Sequence, residues 1–75
     1  MINKDIKYKL GISIRKCRLE KNISQEEFAG LTGLHRTYIS EVELGKRNIS
    51  LINIEKISMA LDIKLSNLFS LVESE

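Results

Sequence analysis

The chain contains one cysteine, Cys17, and one histidine, His35, in 75 residues. A lone thiol closes no intrachain disulfide, and one thiol with one imidazole cannot make a four-ligand nitrogen and sulfur zinc site. A domain this short buries a modest share of its surface and usually leans on a disulfide, a metal or a partner chain. With the first two excluded, its stability must come from packing around an apolar core, and a second copy of the chain is the expected support. The composition allows this: 43% of the residues are hydrophobic and 29% charged, with four Gly and no Pro, as in ordinary globular chains. One domain spanning residues 1–75 is expected.

No apolar run approaches the roughly 20 residues that span a bilayer. The start, MINKDIKYKL, has no apolar stretch of the kind a secretory signal requires. A cytoplasmic protein in a reducing compartment is therefore expected. The net charge of +2 is unevenly spread: residues 1–21 carry +5, residues 22–49 carry −1 and residues 50–75 carry −2. The basic front, which includes Lys4, Lys7, Lys9, Arg15, Lys16, Arg18 and Lys21, suits either a polyanion footprint or a solvated helix face.

Five helices and no strand are predicted. Leu10, Ile14 and Cys17 recur at i, i+4 and i+7, marking an amphipathic helix from about Asp5 to Lys21. Ser24 followed by Glu27 is a capping box, which starts a second helix at Gln25 ahead of Phe28, Ala29 and Leu31. Gly33 ends it and Gly45 ends a short third helix, His35 to Leu44, with Ile39 and Val42 on its inner side. Ser50 is the N-cap of a fourth helix with Leu51, Ile54, Ile57 and Leu61 as its buried stripe, and Ser66 caps a fifth carrying Leu68, Phe69, Leu71 and Val72. Ile52, Met59, Ile63, Leu65, Leu71 and Val72 exceed what so small a domain can readily bury, so part of this set is expected at a homodimer contact.

Two short helices joined through Gly33, the second polar on one face, make a helix-turn-helix at about residues 24–44, whose second helix can enter the major groove of DNA. From Ile14 onward, RKCRLEKNISQEEFAGLTGLHRTYISEVELGKRN resembles the Cro and phage-repressor type of helix-turn-helix domain, the XRE family. The likeness extends through the fourth and fifth helices, at about residues 50–72. RTYIS, ELGKRNIS and the short length are most similar to controller proteins of bacterial restriction-modification systems. The resemblance implies an all-α, five-helix lambda-repressor-like fold with no cofactor and no metal.

The resemblance also assigns roles. Gln25, at the first turn of helix two, matches a phosphate-binding position. Arg36 and Thr37 open the recognition helix and are the base-reading candidates, since Arg can grip guanine O6 and N7 while Thr offers a hydroxyl and a methyl. Glu41 lies one turn on, where a carboxylate either accepts from cytosine N4 or repels phosphates at wrong sites. Tyr38 and Ser40 flank the reading face as phosphate donors, with packing against helix two an equal task for the Tyr ring. Lys46, Arg47 and Asn48 match a backbone clamp. Arg18 and Glu43 match a buried ion pair between helix one and the recognition helix, which would take Arg18 out of any DNA contact. His35 departs from the family, whose cap here is commonly Ser, Thr or Asp, and imidazole is a poorer cap. Cys17 reads as a small core residue.

One His, one Cys, no Gly-rich phosphate loop and no paired acids around a pocket argue against an enzyme. The two remaining readings are a sequence-specific regulator and a protein-interaction module such as an antitoxin. An antitoxin usually carries an added toxin-binding segment, which favours the regulator. The expected mechanism is a homodimer on a pseudo-palindromic DNA site. The controller resemblance adds two dimers on tandem sites, activation at low dose and repression at high dose, and a contact from Glu26 and Glu27 to a basic patch on the RNA polymerase sigma factor.

Overall fold

The computed structural model describes residues 5–75. Lys4, counted above in the basic front, and the start of the domain expected over residues 1–75 lie outside the described residues. The chain forms α1 (Ile6–Glu20), α2 (Gln25–Thr32), α3 (Arg36–Glu43), α4 (Leu51–Ala60) and α5 (Leu65–Glu73), with no strand among the described residues. The expected five-helix architecture is borne out.

Local chemistry explains the boundaries. The Asp5 carboxylate accepts the Lys7 N–H at 2.7 Å and starts α1. The predicted capping box is present at α2: the Ser24 hydroxyl accepts the Glu27 N–H, and the Glu27 carboxylate accepts the Ser24 N–H, both at 3.0 Å. Ser50 caps α4 through the Asn53 N–H at 3.1 Å. Three helices end on one device, a left-handed residue whose N–H groups and those of its successor satisfy the last carbonyls. Gly45 plays that role after α3, with Lys46 N–H on Glu41 O at 2.9 Å. Asn22 and Asp62, both types that tolerate positive φ, play it after α1 and α4. The isoleucine that follows each of them, Ile23 or Ile63, then folds onto the core.

α1 packs against α3 and α5, and α2 bridges α3 and α4. The core they enclose is Leu10, Ile14, Cys17, Phe28, Ala29, Ile39, Val42, Ile57, Leu61, Leu68 and Val72. Gly11 belongs to this arrangement, although sequence alone did not single it out. A Cβ there would overlap the Val42 carbonyl oxygen and stand 2.8 Å from that of Glu43, so the bare Gly11 lets α1 meet the end of α3 backbone to backbone.

Three expectations are corrected. Leu51 is 72% exposed: as the first residue of α4 it stands at the rim of the stripe, and Ile54, Ile57 and Leu61 carry the packing with buried Ser58. Val72 is 0% exposed, because with Leu68 it forms the inner stripe of α5 within the chain's own core, so it offers nothing to a partner. Ser66 does not cap α5, which starts one residue earlier with Lys64 at the N-cap and no side-chain cap bond. Of the other residues assigned to a dimer contact, Ile63 and Leu65 are half-buried, while Ile52 (68%), Met59 (72%) and Leu71 (41%) are exposed.

Part of the basic front is paired within the chain. Arg18 pairs with Glu43, Lys16 with Glu75 at 2.9 Å, and Lys7 lies 3.9 Å from Asp5.

Candidate nucleic-acid interface

The turn between α2 and α3 is built from short-range bonds. Gly33, at φ +76°, donates its N–H to Ala29 O at 2.9 Å. The Thr32 hydroxyl donates to the same carbonyl at 2.9 Å and accepts the Leu34 N–H at 3.0 Å. His35 proves a working cap: its Nδ1 accepts the Thr37 N–H at 3.1 Å, placing an imidazole lone pair where a hydroxyl oxygen usually serves. That bond needs the tautomer with its proton on Nε2.

Beyond this cap, Arg36 and Thr37 are exposed on the first turn of α3. Arg36 lines an open depression of about 420 Å³ with Arg18, Ser24, Gln25 and Glu26, so the start of α2 and the start of α3 share one concave surface. Ser40 and Glu41, one turn further, are half-buried.

The platform under this surface is a buried ion pair. Arg18 Nε donates to Glu43 Oε2 at 2.7 Å and Nη2 to Oε1 at 3.0 Å, while Nη1 donates to Ile23 O at 2.9 Å. Gln25 Nε2 donates to Glu43 Oε1 at 3.1 Å, which orients Gln25 between α2 and α3. The two charged side chains are 9% and 1% exposed, so the guanidinium is occupied and cannot serve as an anion site.

A second cluster closes the other end of α3. Arg47 folds back from the loop, donates from Nε to Glu41 Oε1 at 2.7 Å, and lays its guanidinium over the Tyr38 ring, 5.0 Å from the centroid. The Tyr38 hydroxyl accepts from Asn53 Nδ2 on α4 at 3.1 Å, and the ring packs against the core. Sequence reasoning missed this set. Glu41 and Arg47 lie six apart across the Gly45 turn, a separation with no helical periodicity, and Asn53 carried no motif. Lys46 and Asn48 are exposed on the same loop. Glu26 and Glu27 are exposed at the start of α2, with one Glu27 oxygen committed to the capping box. Among the described residues no group of three His, Cys, Asp or Glu gathers to hold a metal ion, and no helix is long and apolar enough to cross a membrane.

The helix-turn-helix family model matches residues 14–68, which covers the cap, the turn, the recognition helix and the packing of α4. Control protein C.MunI of Mycoplasma sp is 54% identical over 72 residues, 95% of this chain and 97% of that protein. The chain belongs to the helix-turn-helix family of controller proteins. Two solved structures place this controller-type chain among known folds. The restriction-modification controller protein C.AhdI from Aeromonas hydrophila superimposes with a TM-score of 0.82 at 48% identity, covering 84% of this chain and 96% of that one. The controller protein C.Esp1396I, solved as a tetramer with its natural 35 base-pair operator, superimposes with a TM-score of 0.86 at 33% identity, covering 92% and 91%.

Proposed function

We propose that this protein is a sequence-specific, double-stranded DNA-binding transcription regulator of a restriction-modification system, acting by binding rather than catalysis. The observation that carries this reading is the exposed pair Arg36 and Thr37, set at the capped start of a helix that is anchored from behind by Arg18, Gln25 and Glu43. A bidentate guanidinium reads guanine only from a fixed origin, and this platform supplies one.

In this reading Arg36 and Thr37 contact base edges, with Glu41 one turn behind. Gln25, Tyr38, Ser40, Lys46, Arg47 and Asn48 contact the sugar-phosphate backbone and set the register. Glu41 first acts on Arg47: by neutralising it in the free protein, the carboxylate weakens attraction to arbitrary phosphates. Two copies pair through the exposed Ile52, Met59 and Leu71 with half-buried Ile63 and Leu65, placing their recognition helices roughly 34 Å apart on a pseudo-palindromic site. C.Esp1396I, a tetramer on its operator, supports two such dimers on tandem sites. Binding upstream of the chain's own gene would activate at low dose and repress at high dose, with Glu26 and Glu27 facing the sigma factor of a bacterial RNA polymerase in the cytoplasm.

The test is an anisotropy titration at several salt concentrations against the DNA upstream of the gene, with scrambled DNA and Arg36→Ala as controls. Selective binding that Arg36→Ala abolishes is the expected result. Sequence-blind binding that disappears with salt would refute this function and favour a protein-interaction module.

A further inference from the structure

A tyrosine hydroxyl has one proton to give and lone pairs to receive with, whereas a DNA phosphate oxygen only accepts. Whether Tyr38 can serve such an oxygen therefore depends on which way its existing hydrogen bond runs. In this structure Asn53 turns its amide nitrogen, not its amide oxygen, toward the phenol, so Tyr38 Oη receives at 3.1 Å and its proton stays uncommitted. The ring cannot swing freely to find another arrangement. It is half-buried against the core, and the Arg47 guanidinium, held by Glu41 at 2.7 Å, covers it at 5.0 Å.

We propose that Asn53, a residue of α4 outside the recognition helix, is a positioning residue for DNA binding: its amide fixes Tyr38 as an outward hydrogen-bond donor to a backbone phosphate. Asn53 is itself well placed for this. Its N–H donates to the Ser50 hydroxyl at 3.1 Å, so the residue is anchored in the first turn of α4. The side chain thus ties the helix that carries Ile52 and Met59 to the donor polarity of the recognition helix. The inference rests on the reading of Tyr38 as a phosphate contact, and the experiment separates the two.

Asn53→Asp replaces the donor by an acceptor of the same shape, so the Tyr38 proton turns inward to the new carboxylate. An acid at this third position of a helix suits the positive end of its dipole, and the variant is expected to fold. Anisotropy titrations on the cognate DNA compare the parent protein, Tyr38→Phe, Asn53→Asp and the double variant. Asn53→Asp is expected to weaken binding about tenfold in the parent, the scale of one hydrogen bond to a charged group, and far less once Tyr38 is Phe. Asn53→Ala, which removes the donor without inverting the bond, is expected to lose less than Asn53→Asp. A DNA with a neutral methylphosphonate at the contacted phosphate should lose its sensitivity to Tyr38→Phe and Asn53→Asp together. Equal losses from Asn53→Asp with Tyr38 present or absent would overturn the role of Asn53 and leave the Tyr38 contact standing. Unchanged binding by Tyr38→Phe would overturn the contact and the inference with it.

Discussion

Arg18 and Glu43 form a two-point ion pair that joins the end of α1 to the last turn of α3, with both side chains almost fully removed from solvent. The pair is satisfied on every side: Arg18 also reaches Ile23 O, and Glu43 also receives Gln25. Such a pair adds little against a well-packed apolar replacement, but losing one partner strands the other's charge. Arg18→Met and Glu43→Leu should each lower stability by about 3–5 kcal/mol in urea denaturation, while the double variant should recover much of that loss. Near-additive losses would show that the two residues act independently.

Arg36 should be sensitive to shape as well as charge. Arg36→Lys keeps a cation at the mouth of the depression but loses the planar fork that engages O6 and N7 together. Discrimination between cognate DNA and a site with one guanine replaced should fall by about 1–3 kcal/mol, while the dependence of binding on salt stays close to that of the parent. Parallel losses on both DNAs would mean that Arg36 holds a phosphate instead.

The glycines divide by what surrounds them. Gly30 lies exposed within α2 and an added Cβ meets nothing within 4 Å, so Gly30→Ala should stabilise the protein by about 0.5–1 kcal/mol. Gly11→Ala would drive a methyl into the Val42 and Glu43 carbonyls and should cost about 1–3 kcal/mol. Gly45→Ala combines a φ of +76° with a Cβ 2.8 Å from Tyr8 Cα and should be destabilising too. Thermal melts of the three variants check the order: Gly30→Ala above the parent, the others below.

What the sequence disclosed was mostly short-range. Ser24 with Glu27, Ser50, Gly33 and Gly45 announce their roles because a cap or a left-handed turn involves neighbours a few residues away. Arg18 and Glu43 lie 25 apart, and only the resemblance to a known family joined them. Leu51 follows the stripe of α4 but stands at its open end, and Val72 turns to the core rather than outward because the facing of α5 is set by the side on which α1 packs, neither of which has a local signature. A ranking of cap residues places imidazole low and says nothing of one whose Nδ1 faces the Thr37 N–H, as in His35. In the Glu41, Arg47, Tyr38 and Asn53 cluster, Tyr38 and Glu41 are neighbours on α3, but Arg47 and Asn53 join them only once the Gly45 turn is built.

Cys17 provides a test that reads burial through a proton. Burial pushes its thiol above the ordinary value of 9.0, with Glu20 adding to the rise and Lys21 opposing it. A raised value means that the folded chain keeps the proton at a pH where the unfolded chain has begun to release it. Stability contributed by the buried thiol is therefore complete below about pH 9 and declines as pH climbs from there toward the raised value. Against Cys17→Ala, which does not titrate, the stability advantage of the parent should shrink between neutral pH and pH 10 in paired urea denaturations. At pH 8 the folded parent should also react with a thiol reagent many times more slowly than the urea-unfolded chain, because only the thiolate attacks. Equal rates in the two states would mean that Cys17 opens to solvent from the α1 and α5 contact, and would undo the placement of this residue in the core.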